Sequence, residues 1–514
     1  MRKQTPARFA RLARLAGTTA LAAIAVAGLA SQPAAAQQKT LRISAYGIPQ
    51  GQGNPHTSTG SRPTIWWWAP LYEMPSFMDE KGNTTPYLAT SWEAQGKDTW
   101  ILKLRPNVTF HNGQPFNAEA MAEVINFITS EDGKKFPVYG EMRTMVAARA
   151  VDPLTVEIKT SEPDAILIKK LGVLRVVEPK AWKEMGPAEF AKKPVGTGSF
   201  RVTNWGVDRV QYAAFDKSWR KPKVDAIEYV GIEETTSRNQ AFLSGQVDLA
   251  LALNLDNKQA VERAGGKLEA FAIPSAWAMP FIVTAPGPHQ DVRVRRALNY
   301  AVNKQAFIDS LLGGASAVVS QPATQGTSGY QSDIKPYEYD PAKAKQLLAE
   351  AGYANGFEIT AAITNQGGLG DIYQWVAQDV GKLGVKIQLQ EMPIQEFTRR
   401  LFKQTPWAAT IFGIDYGSSP TIDALRSINS LHSCKFFNAH YCDPDIMPTI
   451  DAANQEFDPA KRAQLVAQIM RHYHEQAPAI FLHEVRQYDG VGAKVRNYKP
   501  VNMIINYHEI DLAN

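Results

Sequence analysis

Two short runs in the chain combine residue types that can do chemistry. His432-Ser433-Cys434 and His440-Tyr441-Cys442 repeat the spacing His-x-Cys, which offers four side chains of the kinds that ligate zinc. The same two cysteines are the only ones in the 514 residues. In an oxidising compartment, cysteines so close in sequence more simply close one local disulfide, and both readings stand at this point. Asp415-Tyr416 follows an apolar strand predicted over Ala408–Phe412. That placement lets the Asp415 carboxylate face a cleft, or else cap the turn that follows. Arg399, Arg400 and Arg426 supply guanidinium forks suited to a carboxylate, and Arg400 is the candidate. His472 and His474 lie two apart on a predicted helix and point in different directions, as surface or packed histidines would. The signatures Gly-x-Ser-x-Gly, His-Glu-x-x-His, Gly-x-x-x-x-Gly-Lys and Gly-x-Gly-x-x-Gly are absent. Gly196-Thr197-Gly198 lacks the third glycine, because Arg201 holds that place, and reads as a tight turn. No catalytic residue, metal or cofactor is expected, and a secreted hydrolase is disfavoured.

Elements that would position these groups follow from periodicity. Leu41–Ala45 alternates as an opening strand, and a polar loop over Gly47–Pro63 leads into Trp66-Trp67-Trp68. Adjacent helical positions diverge by about 100°, so at least one indole is expected to look into a cleft or a lobe interface unless all three pack. Trp67, Trp68 and Thr57 of the preceding loop therefore join the candidate ligand contacts, the indoles being suited to stacking on a planar or sugar solute. Trp100–Arg105 and Val108–Phe110 read as strands paired around Pro106-Asn107, followed by a helix over Ala118–Ser130. Further strands are predicted at Thr155–Ile158, Phe200–Val202, Val210–Phe215 and Ile227–Ile232. In the second half, strands at Glu358–Thr364 and Val385–Met392 alternate with helices that open at Asp340-Pro341 and Asp458-Pro459, an α/β pattern.

Charge and composition narrow the partners. With 44% hydrophobic and 20% charged residues the chain is ordinary globular material, long enough for about three folding units or two large lobes. The formal charge of +5 resides in residues 1–36, where Arg2, Lys3, Arg8, Arg11 and Arg14 face no acid. Setting those five aside leaves 50 basic against 50 acidic residues, which gives no electrostatic case for nucleic acid or anionic lipid. Those first 36 residues read as a secretory signal, with a basic start, an apolar stretch over Leu15–Ala30 and cleavage after Ala36. The apolar run is short for a spanning helix and carries Gly17, Thr18, Thr19 and Gly28. An exported periplasmic monomer is expected.

Five blocks then carry a resemblance. Pro86–Glu93, Trp100–Glu119, Pro194–Phe200, Asp291–Lys304 and Tyr339–Tyr353 are similar, in order, to the family 5 extracellular solute-binding proteins. These are the peptide, nickel and oligopeptide binding components of ABC importers. The resemblance implies an α/β, two-lobed periplasmic binding protein fold with a hinge and an extra subdomain in the first lobe. It implies a solute, most readily a short peptide, held between lobes and passed to membrane permease subunits. The expected division is 37–77, 194–282 and 482–514 for the first lobe, 78–193 for the extra subdomain and 283–481 for the second lobe. Phe412–Gly417 resembles the family stretch whose aspartate pairs with a peptide's amino terminus, which would give Asp415 that role with Tyr416 beside it. Gly413, Ile414 and Gly417 onward depart from that pattern. Tyr416 with His432 resembles the arrangement of nickel-chelate binders, and an opine, sugar or aromatic acid is the further alternative.

Overall fold

The computed structural model describes residues 38–49, 51–60, 62–364, 369–402, 407, 409–417, 421–435 and 439–513. The predicted signal segment, 1–36, lies outside the described residues, as do position 408 and positions 418–420. Among the described residues no helix is long and apolar enough to cross a membrane.

The opening strand forms over Thr40–Ala45 and buries Leu41, Ile43 and Ala45 completely, as its alternation requires. It pairs in parallel with Ala226–Gly231 on one side and Leu249–Leu253 on the other. These belong to an eight-stranded sheet whose order is Ile414–Gly417, Lys267–Pro280, Ala479–Val491, Leu249–Leu253, Thr40–Ala45, Ala226–Gly231, Arg209–Ala214 and Phe200–Trp205.

Two strands of that sheet are much longer than the rest. Lys267–Pro280 and Ala479–Val491 run antiparallel beside each other from Lys267 opposite Val491 to Pro280 opposite Ala479. At about 3.3 Å per residue such a strand outreaches one core, and the pair serves two. One end meets a core containing Leu41, Trp67, Tyr229 and Val491, the other a core containing Met279, Phe281, Leu298 and Leu482. This makes the protein a two-lobed α/β structure joined through a two-stranded ribbon.

The second lobe is built on a parallel sheet ordered Val385–Glu391, Phe357–Ile363, Ile411–Phe412, with Leu369–Gly381 as the crossover helix between the first two in sequence. Of the strand predicted over Ala408–Phe412, the ordered ladder takes Ile411–Phe412. The Asp-Pro helix starts form as their chemistry demands. Asp340 accepts from the Lys343 amide at 2.9 Å and opens Pro341–Glu350, while Asp458 accepts from Ala460 at 2.9 Å and opens Pro459–Gln476.

One predicted pairing does not form. Thr99–Leu104 takes Ala89–Ala94 and Thr155–Thr160 as its neighbours in a four-stranded antiparallel sheet that Met145–Asp152 completes. Asn107 turns the chain in the left-handed region with φ +58. The backbone of Val108–Phe110 then bonds to the next few residues, with Phe110 N–H donating to the Gln114 carbonyl and Phe116 N–H to that of Val108. These bonds close a local turn in place of a ladder with the strand before it.

Thr64–Trp68 is one short helix enclosed on every side, with Trp66, Trp67 and Trp68 all 0% exposed. Trp66 meets Tyr46 edge-on at 5.5 Å, Trp67 packs on Tyr229 at 4.4 Å, and Trp68 Nε1 donates to the Gln52 carbonyl at 2.7 Å. The three diverging directions are thus filled by three different neighbours. The turn Gly196-Thr197-Gly198 lies against this region, where a Cβ on Gly198 would overlap the Pro70 carbonyl and the Gly198 amide donates to Leu71 at 2.9 Å.

Candidate functional site

Strand register decides which side chains meet. Ile414–Gly417 pairs antiparallel with Lys267–Pro280, placing Gly417 opposite Ser275, Tyr416 opposite Ala276, Asp415 opposite Trp277 and Ile414 opposite Ala278. Because side chains alternate across a strand, Ser275, Trp277 and Asp415 share one face. Ala276, Ala278, Ile414 and Tyr416 turn to the other and enter an apolar cluster with Phe412 and Phe481.

The adjacent candidates Asp415 and Tyr416 are therefore split. Tyr416 is 1% exposed, and its hydroxyl lies 2.9 Å from His432 Nε2. Burial, with a smaller contribution from His440, pushes the His432 imidazole down to about 3, so this ring is neutral and faces inward. Cys434 and Cys442 are joined as a disulfide, with 4.7 Å between Cα atoms, which settles the choice left open by their spacing. His440 is likewise buried and pushed down to about 4. No group of three or more His, Cys, Asp or Glu able to hold a metal occurs among the described residues.

Asp415 is half-buried, and Ser275 Oγ donates to its Oδ2 at 2.9 Å. No cation pairs with it among the described residues. Facing it from the first lobe is Tyr46, at the end of the opening strand. Burial raises the Tyr46 phenol, the positive charges of Arg62 and Arg238 pull it back, and Asp415 raises it further. Glu233 adds to that rise, so two positive and two negative side chains converge on one hydroxyl.

The two arginines differ in what they have left to give. Arg238 spends its donors on the carbonyls of Ile232, Glu233, Leu251 and Ala252 and on Thr235 Oγ1, so it is a structural clamp. Arg62 is half-buried and makes no hydrogen bond or ion pair among the described residues.

The other candidates are placed as follows. Arg400, on the helix Ile394–Phe402, pairs with Glu396 at 2.6 Å, and Arg399 closes on the same carboxylate at 2.6 Å. Arg426 pairs with Glu141 at 2.7 Å and donates to the Gly417 carbonyl at 3.0 Å. Thr57 Oγ1 donates to the Asn54 carbonyl at 2.8 Å within its own loop. Trp67 and Trp68 lie in the first core. Of the candidates, Asp415 is the one with polar capacity open beside the ribbon. Ser275, Trp277, Tyr373, Tyr46 and Arg62 escaped the sequence reading. The alternation of Ser275-Ala276-Trp277-Ala278 was the available signal for the first two.

A second charged cluster lies close by in sequence. Asp423 is 0% exposed, with Lys169 Nζ at 3.1 Å and Arg462 Nη2 at 3.0 Å. Burial alone would raise this carboxyl, but the two cations outweigh it and hold it at about 2. Lys169 comes from the helix Leu167–Leu171 and Arg462 from Pro459–Gln476, so Asp423 ties segments far apart in the chain.

A family model described as bacterial extracellular solute-binding proteins, family 5 middle, matches residues 83–430. The glutathione-binding protein GsiB of Pectobacterium atrosepticum is 28% identical over 435 residues, covering 81% of this chain and 83% of that one. Among solved structures, the periplasmic binding protein DppA from Helicobacter pylori in complex with peptide STSA superposes with a TM-score of 0.78 at 20% identity, over 92% of this chain and 98% of that one. NikA from Staphylococcus aureus in complex with Ni(L-His)2 gives 0.76 at 19% identity, over 92% and 100%. At these identities the structures speak for the fold.

Proposed function

The chain belongs to the family 5 bacterial extracellular solute-binding proteins, and from that premise we propose that it captures a short peptide between its lobes and delivers it to the permease subunits of an ABC importer. The observation that carries the ligand class is Asp415. It is a carboxylate on the ribbon between lobes, oriented by Ser275 at 2.9 Å and without a counter-cation among the described residues. An enclosed ammonium needs such a partner, because burying it alone costs several kcal/mol. Arg62, with its guanidinium unspent and its charge felt at the same Tyr46 hydroxyl, suits a carboxylate of the same solute. Main-chain recognition of a peptide would tolerate varied side chains. Similarity to glutathione-binding relatives favours a ligand of about tripeptide size carrying both charges.

On this reading Tyr416 with His432 is an interior hydrogen-bonded pair rather than a chelate holder. The lobes comprise 37–77, 194–282 and 482–514 on one side and 283–481 on the other, with 78–193 as the extra subdomain. The protein works as an exported monomer in the periplasm and turns over no substrate. Native mass spectrometry of the purified protein, followed by denaturation to release bound solute, tests the ligand class. Recovery of glutathione or other short peptides is expected. A nickel chelate, opine, sugar or aromatic acid in their place would overturn it.

A further inference from the structure

The face that carries Asp415 holds two more polar groups, whose near polar partner among the described residues is each other. Trp277 Nε1 and Tyr373 Oη are both buried, and neither closes a hydrogen bond of ordinary geometry. The indole stands near enough to pull against the rise that burial imposes on the phenol, and the Asp415 charge also reaches that hydroxyl. The three groups are therefore neighbours.

Their placement follows from the fold. Trp277 sits directly opposite Asp415 in the antiparallel ladder, so both side chains leave the same face. Tyr373 comes from the crossover helix Leu369–Gly381, and its hydroxyl passes Gly413 so closely that a Cβ there would overlap it. The missing side chain makes room for a phenol oxygen two residues along the chain from Asp415. Trp66 and Trp67 also have unpartnered indole nitrogens, but those sit among rings such as Tyr46 and Tyr229 in the first core.

Buried donors without acceptors destabilise the empty protein, and they persist where an arriving group supplies what is missing. Here the donors lie beside an acceptor-only carboxylate. A ligand that satisfies the whole face must offer a cation and, next to it, an oxygen acceptor. We propose that Trp277 and Tyr373 are ligand-binding residues that complete a head-group site. Asp415 with Ser275 takes the ammonium of an α-amino acyl ligand, and the Trp277 Nε1 and Tyr373 Oη protons take the neighbouring carbonyl or carboxylate oxygen. The assignment rests on the peptide reading and deepens it, since a simple amine would satisfy Asp415 and leave both donors unmet.

Tyr373→Phe removes one hydroxyl and little else. Isothermal titration with trialanine and with glutathione, alongside the thermal midpoint of the ligand-free protein, is the test. The variant is expected to bind roughly 10-fold more weakly while its ligand-free midpoint stays level or rises. Gly413→Ala, which keeps the hydroxyl but pushes it aside, is expected to reproduce the loss. Wild-type affinity in Tyr373→Phe, or a lowered ligand-free midpoint with affinity preserved, overturns the assignment and leaves the peptide reading standing. If the wild-type protein itself binds neither probe, the peptide reading falls and takes this assignment with it.

Discussion

Asp415 and Asp423 belong to the same stretch of the second lobe and have opposite fates. Asp423 is wholly buried between Lys169 and Arg462, its charge already neutralised by the protein. Asp415 is half-buried, held by one serine hydroxyl and paired with no cation among the described residues. A carboxylate with both partners in place contributes to holding the fold, and one with its cation missing is available to a solute. Identity and neighbourhood in sequence do not separate the two roles; the partners do.

The largest effect expected from breaking this contrast is at Asp423. Asp423→Asn leaves the partly buried Lys169 and Arg462 without their counter-charge, which should cost about 3 kcal/mol of stability in a denaturant titration. A loss below about 1 kcal/mol would show that solvent reaches the cluster. Asp415→Asn should do the reverse, weakening peptide affinity by roughly 100-fold with the denaturation midpoint unchanged. Equal loss of stability in the two variants would erase the distinction.

Acid separates the regions in another way. Burial pushes the His56 imidazole, caged by Phe127, Phe136 and Trp182, from the ordinary 6.5 down to about 3. As pH falls below 6.5 the unfolded chain takes up a proton that the folded chain refuses until about 3, so stability is lost across that window. Asp423 runs the other way. Its folded value of about 2 lies below 3.8, so its contribution is complete above 3.8 and disappears as pH falls through about 2. Between pH 7.5 and 5, His56→Leu should therefore lose about 2 kcal/mol less stability than wild type, while the Asp423 cluster holds. An identical pH slope in the two proteins would mean that His56 takes up its proton in the folded state.

The smallest effect is expected at Arg62, whose charge reaches the same Tyr46 hydroxyl as that of Asp415. Arg62→Gln should weaken binding of peptides with a free carboxylate by about 10-fold and leave their carboxamides unaffected. Equal losses for acid and amide would assign Arg62 a structural part.

Much of the frame was legible because its causes are local. The alternation of Leu41, Ile43 and Ala45, and the Asp-Pro starts at Asp340 and Asp458, depend on residues within a few positions, and they formed as read. The strand at Val108–Phe110 misled because its hydrophobicity says nothing about whether its amides are already spent on Gln114 and neighbouring residues. Arg400 misled because a guanidinium fork is useful to a ligand only if unspent, and Glu396 takes it.

By itself the sequence determined the two-lobed α/β class, the family and the neutral charge balance beyond residue 36, since these rest on composition, period and ordered motifs. The tertiary structure alone decided that Tyr416 turns inward to His432, that three adjacent indoles are all enclosed, and that Trp277 and Tyr373 stand beside Asp415. The physical reason is that a polar side chain's capacity is fixed by the groups it meets across the fold. Those groups come from other strands and helices of the fold.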